Sequence, residues 1–96
     1  MDTHEIDLNS LPILTENIRI SKQKTRAILF TTRTAYVINE TALRIIELCT
    51  GDKTIKDIIK SLKEDFFHVE ERVIINDVIS FLKKLAREGI ITIHDK

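Results

Sequence analysis

The sequence predicts an α+β domain in which a three-stranded antiparallel sheet is followed by three helices and a short C-terminal strand. The first observation is a junction, where residues 36–38, aromatic or β-branched as in a strand, lead directly into Asn39, a good helix N-cap. The second is the spacing of apolar residues, which changes from two before this junction to three or four after it. The third is the β-branched run of residues 90–93, which follows Gly89 at the end of the last helical pattern.

The composition is that of one ordinary globular domain. The chain has 96 residues, of which 43% are hydrophobic and 31% are charged. Fifteen basic residues balance fifteen acidic ones, so no overall field would attract nucleic acid or an anionic membrane. A single cysteine cannot form an internal disulfide, and the N-terminus lacks a signal peptide, so we expect a cytoplasmic location. No apolar run approaches the length needed to span a bilayer.

The first residues are expected to be a loosely held arm. Residues 1–12 are polar, show no clear period and end at Leu11-Pro12. We therefore predict a flexible N-terminal arm at residues 1–12 and a single domain at residues 13–96.

Three strands are predicted before the junction. Residues 13–21 alternate between apolar and polar side chains around Ile18 and Ile20, which is the period of a half-buried strand. The short apolar run at residues 26–31 and the run at residues 34–38 supply the second and third strands. Short connections favour neighbours in space, so the three strands should form an antiparallel meander.

The first helix is expected to begin after Asn39 and to close at Gly51, which can take the left-handed conformation. The residues of its buried face follow the helical spacing i, i+3, i+4, i+7. They are Ala42, Ile45, Ile46 and Cys49.

The second and third helices have separate start signals. Thr54 is a good N-cap, and Asp57 three residues later makes an imperfect capping box for a helix that runs towards Phe66. The third and longest helix should run from about residue 70 to residue 87 and close at Gly89. Its core side is apolar at helical spacing. These residues are Ile74, Val78, Phe81, Leu82 and Leu85.

The third helix carries a second apolar row beside its core side. The row consists of Ile75, Ile79 and Ala86, with Leu82 between it and the core. Its solvent side is bordered by Arg72, Asn76 and Lys83. Either the second helix or the last strand covers this row, or the row forms a groove with an apolar floor and a cationic lip. Such a groove would suit an extended peptide with apolar anchors and acidic residues.

The third strand, residues 34–38, would lie at the edge of the meander with alternate N–H and C=O groups unpaired. Beyond Arg33 it has neither the charge nor the proline that usually protects an edge. An extended peptide could therefore add to it as a further strand. Alternatively, the N-terminal arm or a second copy of the chain pairs there, and we expect a monomer or a weak homodimer.

Patterns for catalysis and metal binding are absent from the sequence. His4, His68 and His94 are far apart and share no ligand spacing with Cys49. Glycine-rich phosphate loops and nucleophile elbows are also missing. We therefore expect no enzymatic activity, no metal and no cofactor.

A DNA-binding transcriptional regulator is the alternative. Three helices followed by a β segment can form a winged helix-turn-helix, whose third helix enters the major groove. A DNA reader concentrates positive charge on that helix, but here both signs are mixed. The charged residues are Arg72, Lys83, Lys84, Arg87, Glu71, Asp77 and Glu88. We therefore do not expect nucleic acid as a partner.

The junction and the residues after it resemble a known family. The run Tyr-Val-Ile-Asn-Glu-Thr-Ala at residues 36–42 resembles the x-x-Leu-Asn-x-Thr-Ala signature of PqqD-like proteins, with Ile38 where leucine is commoner. Thr32-Arg33 replaces the more glycine-rich hairpin of many relatives. Later positions continue the pattern in register, so that the resemblance spans about residues 16–93. They are Ile45, Ile46, Gly51, Thr54, Ile55, Ile58, Ile59, Leu62, Asp77, Val78, Ile79, Phe81, Leu82, Leu85, Gly89 and Ile90.

The resemblance implies a recognition element for ribosomally synthesised and post-translationally modified peptides (RiPPs). Such proteins bind the leader of a precursor peptide as a strand added to their third strand, in a cleft walled by the third helix. They present it to a modifying enzyme, often a radical SAM protein, in pathways that include pyrroloquinoline quinone and lasso peptides. The implied strand contacts are Thr34, Ala35, Tyr36, Val37 and Ile38. The implied helix contacts are Arg72, Ile75, Asn76, Ile79, Leu82 and Lys83.

Overall fold

A computed structural model describes residues 7–95 of the chain. It confirms the predicted α+β fold, with a three-stranded antiparallel sheet, three helices and a C-terminal strand. The elements in chain order are β1 (Leu11–Leu14), β2 (Arg19–Lys22), β3 (Ala27–Phe30), β4 (Ala35–Ile38), α1 (Glu40–Glu47), α2 (Ile55–Asp65), α3 (Glu71–Arg87) and β5 (Ile91–His94).

The predicted meander is present as the sheet β2-β3-β4. Leu29 of β3 lies opposite Tyr36 of β4, and Leu29 is almost fully buried. On the other face of the sheet, Phe30 and Val37 are exposed. The sheet therefore packs on the helices with one face and leaves the other to solvent, as in many antiparallel sheets.

The predicted first strand, residues 13–21, is wrong in one respect, because it is divided into two strands. β1 leaves the meander and pairs with β5, with Ile13 opposite Thr92. A turn at Glu16 and Asn17 then leads into β2. The Thr15 N–H still donates to the Ile90 carbonyl at 3.0 Å, so the turn starts where the β1–β5 pairing ends. These polar turn residues interrupt the alternation that suggested one strand.

The arm expected at residues 1–12 differs from the structure where it is described; residues 1–6 lie outside the described part. The Ile55 N–H donates to the Ser10 carbonyl at 3.0 Å, and the Lys56 N–H donates to the Leu8 carbonyl at 2.9 Å. The first N–H groups of a helix have no partner within the helix, so this segment supplies acceptors that α2 needs. The structured domain therefore begins before residue 13.

The predicted helix starts are confirmed. The Asn39 side chain accepts a hydrogen bond from the Ala42 N–H at 2.8 Å at the start of α1. At the start of α2 the capping box is complete: Thr54 Oγ1 accepts from the Asp57 N–H at 3.1 Å, and Asp57 Oδ2 accepts from the Thr54 N–H at 3.0 Å. Each such cap contributes about 1 kcal/mol.

The predicted end of α3 is also confirmed. Gly89 has a φ of +77°, and its N–H donates to the Ala86 carbonyl at 3.1 Å. The Ile90 N–H donates to the Leu85 carbonyl at 2.9 Å, which completes a Schellman motif. This motif reverses the chain from α3 into β5.

The predicted end of α1 was wrong. The helix ends at Glu47, so Cys49 is buried beyond the helix and Gly51 does not cap it. Gly51 has a φ of +87°, its N–H donates to the Pro12 carbonyl at 3.0 Å, and a Cβ there would lie 2.9 Å from Ile13 Cδ1. The positive φ favours glycine here, and a larger residue would also force the Ile13 side chain to move.

The core lies between the inner face of the sheet, the three helices and β5. Its largest fully buried side chains are Leu29, Ile46, Ile55, Ile58, Leu62, Leu82, Ile91, Val78 and Pro12. Within residues 7–95 no helix has the length and hydrophobicity needed to cross a membrane.

Candidate functional site

The outer edge of β4 offers unpaired main-chain groups. The β3–β4 hairpin closes with the Thr31 N–H donating to the Thr34 carbonyl at 2.8 Å. In an antiparallel ladder, bonded and non-bonded pairs alternate, so Tyr36 bonds to β3 while Ala35 and Val37 do not. The N–H and C=O groups of Ala35 and Val37 therefore point away from β3. No strand of the described residues pairs with this edge.

A groove with a volume of about 360 Å³ lies beside this edge, between β4, the start of α1 and α3. This volume is within the range typical of small-ligand sites. Apolar side chains of the sheet and α1, together with Ile90 between α3 and β5, dominate its lining. Apart from the residues of α3, the lining consists of Leu29, Tyr36, Val37, Ile38, Asn39, Thr41, Ala42, Ile45 and Ile90.

The wall that α3 contributes is one face of that helix. Asp77, Phe81, Lys84 and Glu88 line the groove and follow the spacing i, i+4, i+7, i+11, with Leu85 behind them. Phe81 is half-buried and packs against the core. The groove therefore has an aromatic wall, and its charged rim carries both signs.

The six helix residues that the sequence suggested as contacts do not line this groove. They are Arg72, Ile75, Asn76, Ile79, Leu82 and Lys83. At 100° per residue, Ile79 and Lys83 lie about 160° around the helix from Phe81, and Leu82 is fully buried in the core. Ile75 and Ala86 of the surplus row pack against the core. The part of α3 that lines this groove is therefore the face of Phe81, and the six predicted helix contacts remain a prediction.

The predicted strand residues lie at or near the groove. Tyr36, Val37 and Ile38 line it, whereas Ala35 contributes edge groups and Thr34 lies at its end, in a neighbouring cavity. The helix residues Asp77, Phe81, Lys84 and Glu88 were not predicted as contacts. Their spacing in the sequence places them on a common face, but Phe81 also fits the core side of the helix, and the other three are charged residues of mixed sign.

A hydrogen bond crosses the groove at one end. Tyr36 Oη donates to Glu88 Oε1 at 2.9 Å, joining β4 to the end of α3. This hydrogen bond is the main cause of a raised pKa for the Tyr36 hydroxyl; partial desolvation and the charge of Glu88 add to it, and the charge of Arg33 opposes it. Tyr36 therefore stays protonated at neutral pH and keeps donating to Glu88.

Cys49 and the potential metal ligands among the described residues bear on the sequence expectations for a nucleophile and for a metal site. Cys49 is buried, donates weakly to the Ile45 carbonyl at 3.3 Å, and has a pKa raised to about 12 by burial. A thiol with such a pKa does not form the reactive thiolate at neutral pH. Within residues 7–95 no three His, Cys, Asp or Glu side chains come close enough together to hold a metal ion.

The sequence matches the family described as coenzyme PQQ synthesis protein D (PqqD) over residues 26–91. The chain belongs to the PqqD family. The matched region runs from the start of β3 to the first residue of β5, so it includes the open edge, the groove and the helix wall. A search of curated proteins finds no match to the chain.

Three solved structures share the fold of this PqqD-family chain. The PqqD truncation of Methylobacterium extorquens PqqCD, described as a functional and stand-alone RiPP recognition element, is 17% identical, with a TM-score of 0.75 over 91% of this chain and 94% of that one. TbiB1 in complex with the TbiA(beta) leader peptide is 16% identical, with a TM-score of 0.73 over 83% of this chain and 94% of that one. The heterocyclase TruD is 16% identical, with a TM-score of 0.59 over 88% of this chain but only 11% of that one.

Proposed function

We propose that this chain is a non-catalytic adaptor that captures the leader of a ribosomally made precursor peptide and presents it to a modifying enzyme. The observation that carries the proposal is the open outer edge of β4 beside a largely apolar groove of about 360 Å³. PqqD-family membership supports it, as do the structural matches to a stand-alone RiPP recognition element and to TbiB1 bound to a leader peptide.

The leader would bind as a fourth strand of the meander. Ala35 and Val37 offer two N–H and two C=O groups to it, and each hydrogen bond made would contribute about 0.5–1.5 kcal/mol net. Successive side chains of a strand point to opposite faces. Every second side chain of the leader would therefore enter the groove against Phe81, and the others would lie beside the exposed Val37.

We propose contacts on two elements. On the strand they remain Thr34, Ala35, Tyr36, Val37 and Ile38. On α3 they become Asp77, Phe81, Lys84 and Glu88, because these residues face the groove. Main-chain hydrogen bonds along β4 would supply affinity that does not depend on the leader's sequence. The groove beside Phe81 would select a leader with an apolar side chain at the position that enters it.

The partner that receives the leader is proposed to be a modifying enzyme of the radical SAM class, acting in the cytoplasm. The family resemblance suggests this class. TruD shows that the same fold also occurs as a small part of a much longer heterocyclase chain.

The test uses synthetic, fluorescein-labelled peptides that match the N-terminal portions of short peptides encoded beside the gene. We expect one of them to bind the purified chain saturably and with one-to-one stoichiometry in fluorescence anisotropy. Binding should be lost in a Phe81→Glu variant, which places a charge in the groove wall, and kept in Arg72→Gln, whose exposed side chain lies elsewhere on α3. If the Phe81→Glu variant is folded and still binds the peptide with the affinity of the wild type, the proposed site is refuted.

A further inference from the structure

A second cavity continues the groove beyond the Tyr36–Glu88 hydrogen bond. It has a volume of about 730 Å³ and lies where β4 begins, between the β3–β4 turn, the segment before β2 and the end of α3. Tyr36 and Glu88 line both cavities, so their hydrogen bond forms the boundary between them. A strand paired with β4 and extended past Thr34 would pass from one cavity to the other.

The second cavity carries two arginines without ionic partners. Arg33 and Arg87 line it, and neither forms a salt bridge with any residue in the described part of the chain. Glu88 is the one acidic residue in the lining, and it already accepts the hydrogen bond from Tyr36. The remaining side chains are neutral. They are Thr15, Asn17, Ile18, Thr31, Thr32, Thr34 and Tyr36.

The fold holds Arg33 in a defined turn. Thr31 Oγ1 accepts hydrogen bonds from the Arg33 N–H and the Thr34 N–H, each at 3.0 Å, and so fixes the backbone that presents the guanidinium. Arg87 is the last residue of α3, where the Schellman motif at Gly89 sets its position. The charge of Arg33 also reaches Tyr36, since it opposes the rise of the tyrosine pKa.

The local charge of the sheet is strongly one-sided although the net charge of the chain is zero. Residues 17–39, which form the meander, contain five basic residues and no acidic residue. Lys22 is neutralised by Glu47 at 2.7 Å, but the other four have no salt bridge among the described residues. Lys24 and Arg26 lie at the β2–β3 turn, at the far end of the sheet from this cavity. The positive charge beside the cavity is therefore that of Arg33 and Arg87 in its lining, which would attract an anionic group.

We infer that the second cavity is a carboxylate subsite, in which Arg33 and Arg87 bind an Asp or Glu side chain of the captured peptide. Planar guanidinium groups suit this ligand because they donate two parallel hydrogen bonds to a carboxylate. The inference rests on the proposed function and adds a charge requirement to it.

The strand geometry sets the spacing between anchor and acid. Ile38 lines the first cavity, and Thr34, the residue before β4, lines the second; the two are four residues apart. Strand residues rise by about 3.3 Å, and residues i and i+4 share a face. The acidic residue should therefore lie about four positions from the apolar anchor. It lies C-terminal to the anchor if the peptide runs antiparallel to β4 and N-terminal to it if the peptide runs parallel.

The experiment selects phage-displayed random peptides, long enough to span both cavities, on the immobilised chain. Wild type should enrich peptides that combine an apolar anchor with Asp or Glu about four positions away. The double variant Arg33→Gln/Arg87→Gln should keep the anchor and lose the acidic preference. Arg19→Gln is the matched control, because Arg19 is an exposed arginine on the outer face of the sheet and should leave both features unchanged.

A selected peptide then gives the size of the effect. Replacing its acidic residue by the matching amide should weaken binding to wild type about three- to tenfold, and less at high salt, but should not change binding to the double variant. Enriched peptides that bind the groove with an anchor and no acidic preference would overturn the subsite and leave the proposed function standing. Failure to enrich any peptide would instead overturn the proposed function.

Discussion

The substitution Val37→Pro tests the open edge of β4 directly. The Val37 N–H points away from β3, so proline removes a donor that no described strand uses. Proline is tolerated on edge strands in this orientation, and the Val37 side chain is 65% exposed. The free energy of unfolding should therefore fall by about 1 kcal/mol or less. An added peptide strand, in contrast, loses its hydrogen bond to this N–H.

The expected loss of binding follows from that missing donor. A peptide carbonyl left without a partner at this position costs about 1–3 kcal/mol, or roughly 5- to 150-fold in Kd. The assay is fluorescence anisotropy with a labelled peptide selected on wild type, together with urea unfolding. Val37→Thr is the control, because it keeps the N–H and a side chain of similar shape, and it should bind within about threefold of wild type. Equal affinity for Val37→Pro and Val37→Thr would refute strand addition at this edge.

Further predictions concern the groove wall, the two glycines and the cysteine. Phe81→Ser should weaken peptide binding by about 1–2 kcal/mol, roughly 5- to 30-fold in Kd, in anisotropy titrations. Ile79→Ser, on the opposite side of α3, should leave the Kd unchanged. If Ile79→Ser weakened binding and Phe81→Ser did not, the peptide would lie on the other face of the helix. Gly51→Ala should lower stability in urea by at least the roughly 1–2 kcal/mol of left-handed strain, because the Ile13 side chain must also move away from a Cβ that would lie 2.9 Å from its Cδ1. Gly89→Ala should lower stability by the left-handed strain alone, since nothing lies within 4 Å of the position of its Cβ. A larger loss of stability in Gly89→Ala than in Gly51→Ala would contradict this account. Because burial raises the Cys49 pKa to about 12, a thiol-reactive dye should label it at mildly alkaline pH only after the protein unfolds. Rapid labelling of the native chain would show that the thiol is accessible.

The features that sequence predicted correctly depend on neighbouring residues. Asn39, Thr54 with Asp57, and Gly89 each act within one helical turn, and their hydrogen bonds are those expected from residue type and spacing. The order of strands and helices follows from the same short-range periods. These signals do not depend on the rest of the chain, so the local sequence is enough to predict the features.

The features that sequence missed depend on distant partners. β1 pairs with β5 at the opposite end of the chain, and no local sequence pattern predicts that pairing. The period of α3 shows which residues share a face but not which face lies against the edge of β4. Phe81 fits the core side of the helix equally well, so the sequence alone does not place it on the groove wall where the structure has it. Which face of α3 lines the groove and which faces away from it depends on how the whole domain packs.

Amide hydrogen exchange, followed by NMR residue by residue, tests the central claim most directly. In the free chain the amides of Ala35 and Val37 should exchange much faster than that of Tyr36, which bonds to β3. Saturation with a selected peptide should slow exchange at Ala35 and Val37 and leave Tyr36 little changed. A bound peptide that protects the Ile79 face of α3 while Ala35 and Val37 continue to exchange freely would contradict the account.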